Sequence, residues 1–198
     1  MLKRDDEELL TSLAARAREG DRRAYGRLFR LCYRSIYDYI IRRVGNQADA
    51  EDLTMNVFVR GLESIGAYEE RGCSIKAWLY RIANNIVVDH YRVSRDLVDL
   101  EMVSSTIYVS GEMEEALSSK VELEKLYRDV MKLPPAQSEV IVLRFIKDLS
   151  VAETGAALNK KEVTVRALQF KGIKNLRERL LGGERDVQEG PGELTEMG

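Results

Sequence analysis

Residues 149–181 read LSVAETGAALNKKEVTVRALQFKGIKNLRERLL, and this stretch decides both the fold class and the direction of the function. Ser150 is a good helix N-cap, and Glu153 follows three residues later, the spacing of a capping box in which each side chain satisfies the other's backbone N–H. Val151, Ala157 and Leu158 give this first helix a buried side. Asn159 tolerates the left-handed conformation that closes a helix in a tight turn. In the helix that follows, Val163, Val165, Leu168, Ile173, Leu176 and Leu180 are expected to form the inner stripe. Arg166, Lys171, Lys174, Arg177 and Arg179 fall on its other faces. A short helix bracing a second, basic one with Gln169 outward is the arrangement that places a reading helix in the DNA major groove.

The chain as a whole hides this. It has 31 basic and 33 acidic residues among 198, a formal net charge of −2. The charge is segregated, however. Residues 160–179 hold seven basic side chains against two acidic ones, whereas residues 96–124 hold eight acidic against one basic. A local basic surface can bind phosphate whatever the net charge. Aromatics are only 7% and there are three prolines, which suits a helix-rich protein. No apolar run approaches a membrane span, and MLKRDDEELL lacks a signal-peptide core, so a cytoplasmic location without membrane insertion is expected. Cys32 and Cys73 are too few for a disulfide framework. Cys32 is read as a core residue, and Cys73 as a loop residue open to reaction but without an expected redox role. His90 is the single histidine, and with two distant cysteines it makes no metal-ligand spacing. No phosphate loop, zincin motif or nucleophile elbow is present. The expectation is therefore no catalytic residues, no metal and no cofactor.

Helical periodicity divides the chain. A short helix is expected over 5–19. Gly20 breaks it, and Asp21 caps a long helix that runs to Val44 with Tyr25, Leu28, Phe29, Cys32, Ile36, Tyr39, Ile40 and Arg43 in register. Gly45-Asn46 ends that helix, and Asp49 is read as the cap of the next, whose core side is Leu53, Val57, Phe58, Leu62 and Ile65. After a polar loop, Ser74 opens a helix to Arg95. Trp78, Leu79, Ile82, Ile86 and Val87 are read as its core side. Residues 96–119 form an acidic linker with poor periodicity. The second module, 120–182, begins with a helix over 121–133. Pro134-Pro135 then starts AQSEVIVLRFIKD, and the helix-turn-helix completes the module. Residues 183–198 read as a disordered acidic tail. The fold class is all-α, with two small helical domains joined by a flexible acidic linker.

In this order the elements resemble a bacterial RNA polymerase sigma factor of the extracytoplasmic-function (ECF) group of the sigma-70 family. The resemblance rests on GDRRAYGRLFRLCYRSIYDYIIRRVGNQADAEDLTMNVFVRGLESI (20–65) and AWLYRIANNIVVDHYR (77–92) in the first module. In the second it rests on LPPAQSEVIVLRF (133–145), DLSVAETGAAL (148–158) and VRALQFKGIKNLRERL (165–180). It implies that residues 1–95 are a region 2 domain and 120–182 a region 4 domain. The first would bind the clamp of the largest polymerase subunit and open the −10 element. The second would meet the flap of the second-largest subunit and read the −35 element. The family also implies an anti-sigma partner, a monomer when free, and a stress or envelope response.

The resemblance assigns residues as follows. Asp49, Glu51, Asp52, Asn56 and Arg60 would bind core polymerase, although acids at a helix start also suit simple capping. Arg71, Cys73, Ser74 and Asn85 would line the pocket for an unstacked −10 base, which must be held by polar and cationic contacts. His90, Tyr91 and Arg92 would meet the duplex just upstream. Arg166, Phe170 and Lys171, with Gln169 and Lys174 beside them, would face the −35 groove. Arginine can read guanine bidentately, and lysines more often contact phosphate. The linker would either imitate RNA in the exit path or serve as a plain tether. Five positions depart from the family pattern: Met55-Asn56, Thr154-Gly155 and Val163. A free-standing helix-turn-helix repressor and an adaptor without promoter binding are the alternatives from other classes. The first-module motif argues against the repressor.

Overall fold

In the computed structural model, residues 4–70, 73–97 and 117–185 are described. Arg71, most of the expected linker and most of the expected tail lie outside these residues. Eight α-helices follow one another: α1 (Arg4–Arg18), α2 (Arg22–Val44), α3 (Gln47–Ser64), α4 (Ile75–Leu97), α5 (Leu117–Met131), α6 (Pro135–Ile141), α7 (Val151–Leu158) and α8 (Glu162–Arg185). There is no strand among the described residues, and the fold is all-α.

Local chemistry sets the boundaries. Gly20 adopts φ 96°, which only glycine does without strain. The Asp21 carboxylate then accepts from the N–H groups of Arg23 and Ala24. Gly45, at φ 71°, ends α2 in a left-handed turn. The cap of α3 is Asn46, whose side chain accepts from the Asp49 N–H, not Asp49 as the sequence suggested. Asp49 lies instead in the first turn, where its charge favours the helix dipole. The capping box of Ser150 and Glu153 is present in both directions, and Asn159 closes α7 at φ 51°. The helix read from AQSEVIVLRFIKD does not run straight. It changes from α at Ile141 to a π-helical turn over Val142–Ile146, which swings the chain toward α7.

Helices α1 to α4 pack around Leu13, Leu28, Ile36, Tyr39, Ile40, Val57, Leu79 and Tyr80, all nearly or fully buried. The hydroxyl of Tyr25 donates to the Phe58 carbonyl at 2.6 Å, tying α2 to α3. That of Tyr80 pairs with Ser35 Oγ at 2.7 Å, tying α4 to α2. In the second module Val130, Val140, Leu143, Leu149, Ala157 and Val165 are buried between α5 and α8. Gly155 lets α7 approach the turn before α8: a Cβ there would lie 2.7 Å from the Lys160 carbonyl oxygen. This explains a glycine that propensity alone disfavours.

Thr154 is fully buried, and its hydroxyl has no hydrogen-bond partner. An unmade buried hydrogen bond is costly, and valine has nearly the same shape. Thr154→Val is therefore expected to stabilise the chain by about 1 kcal/mol, measured by urea unfolding. An unchanged midpoint would mean that the hydroxyl finds a partner in solution.

Candidate nucleic-acid interface

The second helix of the helix-turn-helix is fixed from beneath. Val165 is buried against its neighbours, Leu168 and Leu176 are half-buried, and Gly172 is buried beneath Ile141. The inner stripe is thus narrower than the sequence suggested. Val163, Ile173 and Leu180 are exposed, Val163 by 73%. At 100° per residue, Val163, Arg166, Ala167, Phe170 and Lys174 share one outward face, and every one of them is exposed. Lys171 borders it. Arg166 reaches Glu162 at 2.8 Å, with both side chains in solvent. Gln169 behaves differently: it is half-buried, and its Oε1 accepts from Arg144 Nε at 3.0 Å. That arginine also donates to the Leu149 carbonyl. Gln169 therefore holds the π turn against α8 rather than standing outward.

On α4, the same arithmetic aligns Ser74 with Arg81, Asn85, Val88 and Arg92, and all except half-buried Ser74 are exposed. Ser74 Oγ accepts from the Ala77 N–H at 3.3 Å, so it caps the helix. His90 falls on the opposite side and is half-buried. The Tyr91 hydroxyl donates to the Arg43 carbonyl. The residues expected upstream of the melted strand are thus divided between faces. Cys73 is half-buried, and burial followed by the nearby Glu153 pushes its thiol pKa up. Burial likewise pushes Cys32 to about 11. Both thiols stay protonated at neutral pH, which is the wrong direction for reactivity.

On α3, Asp52, Asn56 and Glu63 are exposed beside Met55 and Val59, on one face. Met55, Val59 and Leu62 are each about half exposed, so Leu62 is not a core residue. Glu51 accepts from Gln47 at 2.9 Å, and Arg60 lies 3.9 Å from Asp89. An acidic rim thus surrounds apolar side chains that stay open to solvent.

The two modules pack on each other. Helix α7 lies along α4, and the Ser74 hydroxyl donates to Glu153. Lys76 Nζ donates to the Lys147 carbonyl at 3.4 Å. At the far end of α2, the Arg42 guanidinium stacks 3.7 Å over Tyr127, and Arg43 pairs with Glu139 at 3.1 Å. Spacing alone puts Arg43 in the apolar stripe of α2, and its side chain is indeed nearly buried, paired across the modules.

Comparison with known families identifies these modules. Residues 28–96 match the model of Sigma-70 region 2, and residues 130–178 match that of Sigma-70, region 4. The ECF RNA polymerase sigma factor BldN of Streptomyces coelicolor is 37% identical over 176 residues, covering 86% of this chain and 66% of that protein. The chain belongs to the sigma-70 family, in its ECF group. It is an alternative sigma factor, a protein that directs transcription initiation. The ECF sigma factor SigW of Bacillus subtilis is 28% identical and is matched over 98% of its length, against 88% of this sigma factor. Two solved structures share the fold. CnrH, in complex with the cytosolic domain of CnrY, superposes with a TM-score of 0.63 at 23% identity, over 88% of this chain and 98% of CnrH. The sigma factor RpoE from Bartonella quintana, in complex with the anti-sigma factor NepR, gives 0.62 at 20% identity, over 79% and 96%.

Residue reading of this sigma factor missed Arg81, Met55 and Val59 as surface candidates. Arg81 was legible from its i, i+4 relation to Asn85. The two apolar residues were not, because helical spacing alone does not say which apolar positions exceed the width of the core. No helix among the described residues is long and apolar enough to cross a membrane. No group of His, Cys, Asp and Glu among them could hold a metal ion.

The packing has a pH signature. Lys147 is half-buried, and loss of hydration pushes its ammonium down to about 8. Between about pH 8 and the ordinary lysine value near 10.4, the unfolded chain binds more protons at Lys147, so against the opposing thiols of Cys32 and Cys73, which are pushed up, Lys147 makes stability rise with pH. Above about 10 the buried tyrosines reverse this, since Tyr39 and Tyr127 are pushed up to about 12. Urea unfolding at pH 7.5, 8.5 and 9.5 is expected to show the stability of the parent rising with pH relative to that of Lys147→Met, in which the opposing thiols are unchanged. Equal slopes would rule Lys147 out as the source.

Proposed function

We propose that this sigma factor divides its work between the two modules, with residues 1–95 acting at the −10 element and 120–182 at the −35 element. The acidic and apolar face of α3, with Asp49, Glu51, Asp52, Asn56 and Arg60 around Met55 and Val59, docks on the clamp of the largest polymerase subunit. The second module meets the flap of the second-largest. The exposed line of Arg81, Asn85 and Arg92 on α4, with half-buried Ser74 at its start and Arg71 and Cys73 just before it in sequence, holds the opened −10 strand. His90 and Tyr91 stand at its upstream end. Helix α8 reads the −35 element through Arg166, Phe170 and Lys171, with Lys174 on phosphate. The role is one of binding rather than catalysis, carried out in the cytoplasm by a protein that is monomeric when free. An anti-sigma factor restrains it until a stress or envelope signal arrives, a reading supported by the partners seen with its fold neighbours.

One observation carries the reading: α8 is braced from beneath by α6 and α7, and its free face alternates cations with an exposed phenylalanine. A face meant only for solvent has no use for Phe170, which is 72% exposed. Run-off transcription with purified core polymerase on sheared genomic DNA tests it. New transcripts that appear only with the protein, sharing two upstream elements, are expected. Tight binding of duplex DNA without polymerase, and no co-elution with it, would favour a repressor instead.

A further inference from the structure

The outward face of α8 carries more apolar surface than phosphate binding needs. Val163 and Phe170 are the most exposed large apolar residues among those described, at 73% and 72%. They lie seven residues apart and therefore on one face, with exposed Ala167 between them. Arg166, Lys171 and Lys174 flank this strip. Val163 is the second residue of α8, and the first turn of a recognition helix is the part that reaches base edges. Its exposure leaves no core role that would explain a β-branched residue, which has only modest helix preference.

In the major groove, the apolar feature that distinguishes a base pair is the C5-methyl of thymine. An apolar strip flanked by cations matches it: the cations hold the backbones while the strip meets the methyls. Val163 and Phe170 are separated by about 10 Å along the helix axis, or about three base-pair steps of about 3.4 Å. We propose that Val163 is a specificity-determining residue that selects thymine in the −35 element by contact with its C5-methyl group, with Phe170 selecting a second thymine about three pairs away. This rests on the assignment of α8 to the −35 element made above, and it adds a reader that the family resemblance does not supply.

Deoxyuridine differs from thymidine only in lacking that methyl, which makes the test direct. Holoenzyme from the full chain and core polymerase selects promoters from a library randomised upstream of the start. Thymines of the selected −35 element are then replaced one at a time by deoxyuridine. Removing a methyl that meets the strip is expected to lower initiation about three- to fivefold. In Val163→Ala the thymine-to-uracil difference should vanish at one position and persist at the other. Val163→Thr, which keeps one methyl, should fall between. Both replacements are at a solvent-facing site, and circular dichroism is the check that they fold. If Val163→Ala discriminates thymine from uracil like the parent at every position, or if no thymine is selected, the proposal is overturned while the −35 assignment stands. If selected promoters share no −35 element at all, the assignment itself fails, and the proposal with it.

Discussion

Replacing Arg166 with alanine is expected to lower −35-dependent initiation by about five- to a hundredfold. A bidentate arginine on guanine is worth about 1–3 kcal/mol of discrimination, and on the assignment proposed above Arg166 makes one. It stands on the outward face of α8, on a helix anchored by Val165 and by Gly172 beneath Ile141. In the free chain it pairs with Glu162, at 2.8 Å with both side chains in solvent. Such a surface pair contributes about 0–1 kcal/mol, so the guanidinium can leave it for DNA at little cost. The loss should be uneven across promoters: severe where the element offers the matching guanine, slight elsewhere. Lys171→Ala and Lys174→Ala should behave differently. Each removes about one phosphate contact, so binding weakens evenly across sequences and the salt slope falls by about 0.9. Transcription from matched and mismatched templates at several salt concentrations separates the two kinds of effect. If Arg166→Ala lowered initiation equally on every template, the arginine would be a phosphate contact and not a reader.

Gln169 shows why such assignments need the structure. Spacing places it next to Phe170 on a basic helix, and sequence alone counts it as outward. Its amide instead accepts from Arg144, because the π turn over Val142–Ile146 brings that arginine across to α8. No residue pattern announces a π turn, and one extra residue per turn rotates everything after it. Boundaries governed by local chemistry were legible: the Asp21 cap, the left-handed Gly45 and Asn159, and the reciprocal box of Ser150 and Glu153 all follow from side chains within a few residues of each other. The cap of α3 was misplaced because Asn46 and Asp49 are both good caps, and only tertiary packing selects where the helix begins. Core membership was legible where an apolar residue faces two neighbouring helices, as Ile36, Val57 and Leu79 do. It failed at Leu62, Val163, Ile173 and Leu180, which keep helical spacing but stay open to solvent. Of these, Val163 falls on the face of α8 proposed to meet DNA, where an apolar side chain is kept for a partner. The contact between modules was not legible at all, since the residues that make it are separated in sequence by the acidic linker.

That contact supports the second large expected effect. Both acids that close it come from the second module: Glu153 accepts from Ser74 at the start of α4, and Glu139 pairs with Arg43 at the end of α2. Glutamine at both positions keeps the shape, and at 153 it keeps an acceptor for the α7 cap, but the charges are gone. The Arg43 guanidinium, 11% exposed, would retain Asn84 at 3.3 Å and the Tyr39 ring at 4.0 Å, without a counter-ion. Leaving one charge of a buried pair alone costs about 3–5 kcal/mol, whereas a solvated pair is worth under about 1. Arg43 is nearly buried and Glu139 only partly so, which places this loss between those limits. Hydrogen bonds to charged groups add about 1.5–3 kcal/mol each, and Ser74 to Glu153 is one. Glu139→Gln with Glu153→Gln is therefore expected to part the modules while each keeps its helices: small-angle scattering should show a larger maximum dimension, and circular dichroism little change. An unchanged scattering profile would assign the closure to the remaining contacts, such as the Arg42 guanidinium stacked over the Tyr127 ring. The consequence for function follows from one proton. While the Ser74 hydroxyl donates to Glu153 it cannot donate to a DNA strand, so engagement of α4 at that residue, on the assignment proposed above, requires the contact to open. The doubly substituted chain should accordingly bind a −10 single strand more tightly than the parent, and equal affinity would place the strand away from Ser74.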